Sequence, residues 1–297
     1  MSEIKLLLAI DGGGTKTDFL LTDINGNEIK RIILGPSNPV VTGMNNTEKC
    51  LSDGISQVCN SVDKSTVSVF AGIAGGSIGN NKEIINSYLS SFGFGKVSNG
   101  SDTDSALSVS LGGEEGVAVI IGTGIVAFAD DGKNRHKIGG WGYLIDKGGS
   151  GFHFGSDALE SALRHIDGRN GSKIILQMVE EKLKKPLTQS ISEIYRQGNS
   201  YIASFAPVVF YAYEKGDKEA EKILMKNAKE IAELISTGYG FLNNKKGRVV
   251  LCGGLCKKKE ILKKFISYYL EDEIEIEFCD KDIVYGALSL AEKNIGK

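Results

Sequence analysis

Seven residues near the N-terminus, Asp11-Gly12-Gly13-Gly14-Thr15-Lys16-Thr17, carry the groups that could hold a polyphosphate. Backbone N–H groups in a glycine-rich turn can converge on an anion, because the missing Cβ admits a phosphate and permits positive φ. Thr15 and Thr17 add hydroxyl donors and Lys16 adds a positive charge. Asp11 would repel a phosphate, but an acid in this place suits a hydrated Mg2+ beside one. A tight hairpin alone does not call for three glycines in a row, so phosphate binding is the favoured reading. The turn fits neither familiar nucleotide motif. The P-loop spacing G-x-x-x-x-G-K-[ST] is absent. A Rossmann turn must open a helix, whereas Phe19, Leu20 and Leu21 make Asp18–Ile24 read as a strand.

The elements that position this turn are short and apolar. Lys5–Ile10, Asp18–Ile24 and Glu28–Leu34 read as an antiparallel meander, with Asn25-Gly26 as its hairpin signal. The same unit returns about 110 residues later. Gly116–Ile121, the turn Gly122-Thr123-Gly124, Ile125–Ala129, the turn Asp131-Gly132 and Lys137–Gly139 repeat it, which implies a duplicated domain with a glycine turn in each copy. Helices are expected at Thr47–Cys59, Asn81–Phe92, Asp157–His165, Ser172–Lys184, Gly216–Phe241, Lys257–Leu270 and Asp282–Asn294. Strands are expected at Thr66–Ala71, before Asp102, at Val249–Leu251 leading into Gly253-Gly254, and at the edge segment Glu273–Phe278.

Composition excludes several classes. Across 297 residues, 35 Lys and Arg against 37 Asp and Glu give a net charge of −2, so no basic excess exists to grip nucleic acid or an anionic membrane. Five scattered cysteines, an odd number, suggest thiols in a reducing compartment; Cys252 and Cys256 lack a second pair to complete a zinc site and read as packing residues. The only early apolar run, Leu6–Ile10, is too short for a signal-peptide core, and no stretch is long enough to span a bilayer. The expectation is a soluble, cytoplasmic protein.

Strand–DGGGTKT–strand, a second Gly-Thr-Gly between strands and a late strand ending in Gly-Gly together resemble the sugar kinase, actin and Hsp70 superfamily. More closely, the chain resembles the BadF/BadG/BcrA/BcrD ATPase family, which includes N-acetylglucosamine kinases. The likeness runs nearly end to end through Ser37-Asn38-Pro39, Ala71–Gly75, Asp102, Gly139-Gly140-Trp141-Gly142, Gly149-Ser150-Gly151, Asp167-Gly168-Arg169, Ala203–Ala206, Gly216-Asp217, Cys252-Gly253-Gly254 and Gly286-Ala287-Leu288. It implies an α/β, two-lobed actin-like ATPase fold of duplicated ribonuclease H-like domains, each a mixed sheet flanked by helices. The first lobe is expected over residues 1–105 plus the last helix, 283–297, and the second over 106–282, with the active site in the cleft between them.

The resemblance also assigns roles. ATP and Mg2+ are the expected cofactors and a small amino sugar the substrate; a homodimer is compatible with the family. Gly12, Gly13, Gly14, Thr15, Lys16 and Thr17 would clamp the ATP phosphates with Gly122, Thr123 and Gly124, while Ala203, Gly253 and Gly254 lie near the adenosine. Asp11 is the metal candidate. Asp102 matches the family's catalytic carboxylate, and Asp104 is expected to face away from it. Asn38 and the backbone of Gly140, Trp141 and Gly142 match the sugar contacts. The chain departs from the family twice. Ile125 stands where the family has a serine, and Lys147 where it has a sugar-binding aspartate. Either Asp146 substitutes by a one-residue shift, or Lys147 meets an acidic sugar such as N-acetylmuramic acid. A non-catalytic regulator and an activator of a 2-hydroxyacyl-CoA dehydratase are the alternatives; the latter conflicts with the lack of any cysteine in residues 100–170. Gly75-Gly76-Ser77-Ile78-Gly79 matches a hydrolase elbow only in letters, since its serine would not directly follow a strand.

Overall fold

Two sheets of the same design organise the chain. The computed structural model describes residues 3–243 and 247–296. It divides into two compact units: one takes the residues up to Gly113 and those from Lys281 onward, the other Glu114–Asp280. The expected boundary at residue 105 falls inside a helix, Asp102–Leu111, that stays with the first unit.

In the first unit, β1 (Leu6–Gly12), β2 (Thr17–Asp23), β3 (Glu28–Leu34), β4 (Val67–Ile73) and β5 (Lys96–Gly100) form a mixed sheet in the order β3-β2-β1-β4-β5. The β1–β2–β3 meander is antiparallel, and β4 and β5 add parallel strands on the other side of β1. β1 is buried on both faces, which is why it reads as an unbroken apolar run rather than an alternating one. Leu8 and Ile10 pack with α2 (Met44–Val58) and α3 (Asn81–Ser90) through Leu51, Ile55, Ile85 and Leu89. Leu7 and Ala9 face the opposite side and meet Val284, Ala287 and Ala291 of the C-terminal helix Val284–Lys293. A short helix α1 (Pro39–Thr42) precedes α2, and α4 (Asp102–Leu111) follows β5. α4 packs against the C-terminal helix so closely that a Cβ at Gly286 would lie 1.8 Å from the Ser105 carbonyl oxygen.

The second unit repeats the scheme. β6 (Gly116–Ile121), β7 (Ile125–Asp130) and β8 (Arg135–Gly139) are the antiparallel meander, and β9 (Arg248–Cys252) and β10 (Ile276–Phe278) the parallel additions, in the order β10-β9-β6-β7-β8. Strand for strand this is the order of the first sheet, as the repeated glycine turns predict. Helices α5 (Gly151–Ile166), α6 (Lys173–Leu183), α7 (Ile191–Gln197), α8 (Asn199–Ala203), α9 (Ala206–Glu214), α10 (Lys218–Phe241) and α11 (Lys259–Ser267) build its core, and α12 is the C-terminal helix already placed in the first unit. α10 buries the stripe Ala220, Ile223, Leu224, Ala228, Ile231 and Ile235, and Asp217 caps it by accepting the N–H groups of Glu219 and Ala220. No helix among the described residues is long and apolar enough to cross a membrane.

Candidate active site

The first glycine turn is narrower than the sequence suggests. β1 continues through Gly12, which pairs with Thr17, so only residues 13–16 lie outside the ladder. The Gly13 N–H donates to the Lys16 carbonyl at 2.9 Å and closes the turn. Gly14, Thr15 and Lys16 are exposed, and a Cβ built at Gly14 meets nothing within 4 Å. These residues present backbone to open space, as an anion cradle requires. Gly12 and Thr17 are corrections to the expected phosphate set. Gly12 is buried, and its missing Cβ makes room for Ser37 Oγ, which would lie 2.2 Å from it. Thr17 is fully buried and its hydroxyl is committed inward, donating to the Gly35 carbonyl at 2.8 Å and bonded to Ser37 Oγ at 2.9 Å. Both hold the base of the turn rather than reach out of it.

Sheet order brings Asp102 to the end of β1. Asp11 pairs with Gly72 on β4, and Gly72 with Gly100 on β5. α4 then starts two residues beyond Gly100, and Gly72 admits its first turn; a Cβ there would lie 2.1 Å from Ser105 Oγ. Asp102 opens the helix, its Oδ1 accepting the Thr103 N–H at 3.0 Å. Burial pushes its carboxyl above the ordinary range despite that bond, with Asp104 adding a smaller push. Asp104 belongs to the same turn but has a different job. Its Oδ2 accepts the Ser101 N–H at 2.9 Å in a reciprocal capping box. The two acids face apart because helix positions two residues apart differ by about 200°; a strand, on which the opposite facing was expected, would have put them on one side.

Asp11 is the most perturbed acid of the unit. Burial first, then the negative charges of Asp102 and Asp18, push its carboxyl up to about 7, with Asp282 adding a little and Lys16 opposing. Asp18 itself is neutralised by Arg31, whose Nε and Nη2 donate to its carboxylate at 3.0 and 2.6 Å; Nη2 also reaches Asp282 at 2.6 Å. An acid whose carboxyl is pushed up by burial and by neighbouring acids is a group that a cation would favour in its charged form. Among the described residues no three His, Cys, Asp or Glu gather as a self-sufficient metal set. Asp11 is a group that could hold a Mg2+ whose remaining ligands would be phosphate and water. In the same unit Asn38 caps α1, its Oδ1 accepting the Val40 N–H at 2.9 Å, so the oxygen end of its amide is committed to the helix.

The second unit gathers its own set. The Gly122 N–H donates to the Gly124 carbonyl at 2.9 Å, and the first turn of α5 locks onto this turn through Gly151 N–H to Gly122 O at 2.8 Å and Phe152 N–H to Thr123 O at 3.0 Å. Thr123 and Gly124 stay exposed. Because β9 lies beside β6, Gly253 falls against Ile121; its φ is 112° and a Cβ would sit 2.3 Å from the Ile121 carbonyl oxygen, so only glycine fits. Ala203 lies at the end of α8, its Cβ 3.5 Å from where one would project at Gly151. Gly122–Gly124, Ala203 and Gly253 thus converge, although α8 was not foreseen. Ser77, by contrast, lies four residues beyond the end of β4, outside any strand–elbow–helix arrangement.

The loop after β8 is organised from within. Asp146 Oδ2 accepts the N–H groups of Trp141 at 2.8 Å and Gly142 at 3.0 Å. Trp141 is exposed, with Lys137 Nζ 4.4 Å from its ring centroid. Two residues that sequence reasoning missed pin the segment that follows. His153 bridges Ser150 Oγ at 2.6 Å and the Asp146 carbonyl at 2.8 Å, and the wholly buried Asn227 of α10 accepts the Gly149 N–H at 2.8 Å. Lys147 projects into solvent between these anchors. Ile125 differs from expectation in a telling way. Its side chain is only 4% exposed and belongs to the apolar core, with its Cδ1 beneath Gly149. The residue type at 125 is set by packing rather than by a polar ligand.

The architecture is that of the actin-like sugar kinases, two mixed sheets of one topology flanked by helices. A protein from Porphyromonas gingivalis, provisionally named as an N-acetylglucosamine kinase, superimposes with a TM-score of 0.81 at 19% identity, covering 98% of this chain and 99% of its own. The chain belongs to the BadF/BadG/BcrA/BcrD ATPase family, whose pattern matches residues 8–283. It is 29% identical, over 97% of its length and 98% of the relative's, to the N-acetylmuramic acid/N-acetylglucosamine kinase of Clostridium acetobutylicum. It is 27% identical to the N-acetyl-D-glucosamine kinase of Dictyostelium discoideum, over 97% of its length and 99% of the relative's.

Proposed function

We propose that this protein is an ATP-dependent carbohydrate kinase that phosphorylates the 6-hydroxyl of an amino sugar, N-acetylglucosamine or N-acetylmuramic acid or both. The observation that carries the proposal is the placement of Asp11 and Asp102 behind an open glycine turn, close enough for the negative charge of Asp102 to raise the Asp11 carboxyl. The two curated relatives, named for these sugars, support the substrate class. Family membership supports ATP.

Phosphoryl transfer asks a protein for position and charge rather than covalent chemistry. Backbone groups of residues 13–16 would take nucleotide phosphate, with Lys16 adding charge, and the Gly122–Gly124 turn of the second unit offers backbone groups of the same kind. Ala203 and Gly253-Gly254 would receive the adenosine. Asp11 would hold a hydrated Mg2+, whose charge offsets that of the phosphates. Asp102 would accept the proton of the attacking hydroxyl; burial raises its basicity, which strengthens a carboxylate in that task. Asn38, the Trp141 loop and Asp146 or Lys147 would orient the sugar.

The test is ADP release over a panel of amino sugars, comparing the wild type with Asp102→Asn. Turnover should fall by about two to four orders of magnitude when a general base is lost, while the variant still binds nucleotide and sugar. A wild type that turns over none of them, or a variant as fast as the wild type, would overturn the proposal.

A further inference from the structure

The second unit carries a pair of thiols placed for a bond that no part of the kinase reading uses. β9 and β10 run parallel, with Phe278 beside Leu251, and the Cys279 N–H donates to the Leu251 carbonyl at 2.8 Å. In a parallel pair that bond sets Cys279 directly alongside Cys252. Side-chain parity agrees: Val249, Leu251 and Ile276 enter the large apolar core and Phe278 packs against it, so Cys252 and Cys279, one step further on, share the other face. Neighbouring strands lie about 4.8 Å apart, inside the range of roughly 4.4–6.8 Å between Cα atoms that a disulfide spans. Cys252 is buried and Cys279 half-buried, so one thiol is shielded and its neighbour is open to attack. Cys256 is the third thiol nearby; it is buried in the apolar core, and burial first, then the neighbouring Cys252 and Cys279, raise its thiol further from the reactive form.

We propose that Cys252 and Cys279 are a redox modification site, closing a reversible disulfide across the ends of β9 and β10 and thereby altering the adjacent Gly253-Gly254 turn. The oxidant is a peroxide. The Cys279 thiolate attacks one peroxide oxygen, the O–O bond breaks and water leaves, giving a sulfenic acid. The Cys252 thiolate then attacks that sulfur, the S–OH bond breaks and a second water departs. A dithiol reductant restores both thiols. The bond would act at two places. Gly253 follows Cys252 directly and lies close against the Ile121 backbone. Cys279 stands two residues before Lys281, where the chain returns to the first unit, and Asp280 beside it is held by Lys259 Nζ at 3.1 Å.

The site can be tested on the full chain, whatever substrate the protein proves to have. After hydrogen peroxide treatment and alkylation, peptide mass mapping should find a Cys252–Cys279 cross-link that dithiothreitol removes and that Cys279→Ser abolishes. Nucleotide affinity, read by thermal shift with an ATP analogue, should weaken by about threefold or more on oxidation and recover on reduction. Cys279→Ser should keep the reduced affinity throughout. Cross-links through Cys256 alone, no cross-link at all, or a cross-linked protein with unaltered nucleotide affinity would each overturn the proposal. A failure to turn over sugars would leave this result untouched.

Discussion

Restoring the family's serine at position 125 should harm this protein rather than improve it. Ile125 is 4% exposed, pairs with Ile121 at the top of the β6–β7 ladder, and packs under Gly149 and into the core of the second unit. Ile125→Ser removes three carbons from a packed site, and truncations of this kind cost about 2–5 kcal/mol through lost transfer energy and the cavity left behind. The serine hydroxyl adds about 1–3 kcal/mol if it finds no partner there. A total near 4 kcal/mol is expected, since part of the space will close. For a unit of this size each kcal/mol moves Tm by roughly 2–4 °C, so the melting temperature should fall by about 8–16 °C. Differential scanning calorimetry reads the shift, and ADP release with N-acetylglucosamine reads the function. The substitution should leave the KM for sugar within about twofold in the protein that remains folded, because the wild-type side chain does not face a ligand. An unchanged Tm together with a several-fold better KM would refute this reasoning and place residue 125 among the sugar contacts.

Two further outcomes follow from the first unit. Thr17→Val should destabilise by about 1–3 kcal/mol, because it strands the buried Ser37 hydroxyl and takes one donor from the Gly35 carbonyl, which keeps Cys50 Sγ, while leaving the KM for ATP within about twofold; a selective loss of ATP affinity at unchanged Tm would return Thr17 to the phosphate contacts. Asp11 gives the protein a pH signature. Its carboxyl titrates near 7 when folded and near 3.8 otherwise, so between those values the folded state holds the extra proton and stability declines as pH rises. Without nucleotide or metal, Tm should therefore be higher at pH 5.5 than at pH 7.5 in the wild type by more than in Asp11→Asn; equal pH slopes would show that Asp11 is not buried among acids.

What the sequence disclosed was whatever depends on local pattern. The β1–β2–β3 meander and its repeat in β6–β7–β8 were legible because runs such as Leu6–Ile10 and Gly116–Ile121 end in glycine turns, and so was α10, whose apolar stripe recurs at helical spacing. The start of α5 was not. The helix was expected from Asp157, yet α5 begins at Gly151; a Cβ at Gly155 would lie 1.9 Å from the Ile202 carbonyl oxygen, so close approach to α8, and not a turn, requires glycine there. α7, α8 and α9 were missed for a related reason. Gly198 interrupts the first two, Pro207 stands in the first turn of the third, and α9 is apolar around most of its circumference, so no periodic stripe marks it.

The site was legible to the same degree and failed by the same cause. A motif names residues in a row, but a β ladder alternates which of them can reach out. Of the six residues from Gly12 to Thr17, the ladder claims the two ends, and the four between stand free of it. The residues that hold the second site, His153 and Asn227, carried no local signal, since each acts on a segment brought to it by the fold: one across a helical turn, the other from 78 residues away. The one warning in the sequence was chemical. Asn227 interrupts the apolar stripe of α10 at a position that should be buried, and a polar side chain there must find a partner. Its partners are the Gly149 N–H, the Asp157 carboxylate and the Ile223 carbonyl, so one amide ties α10 and α5 to the end of the loop that bears Asp146 and Lys147.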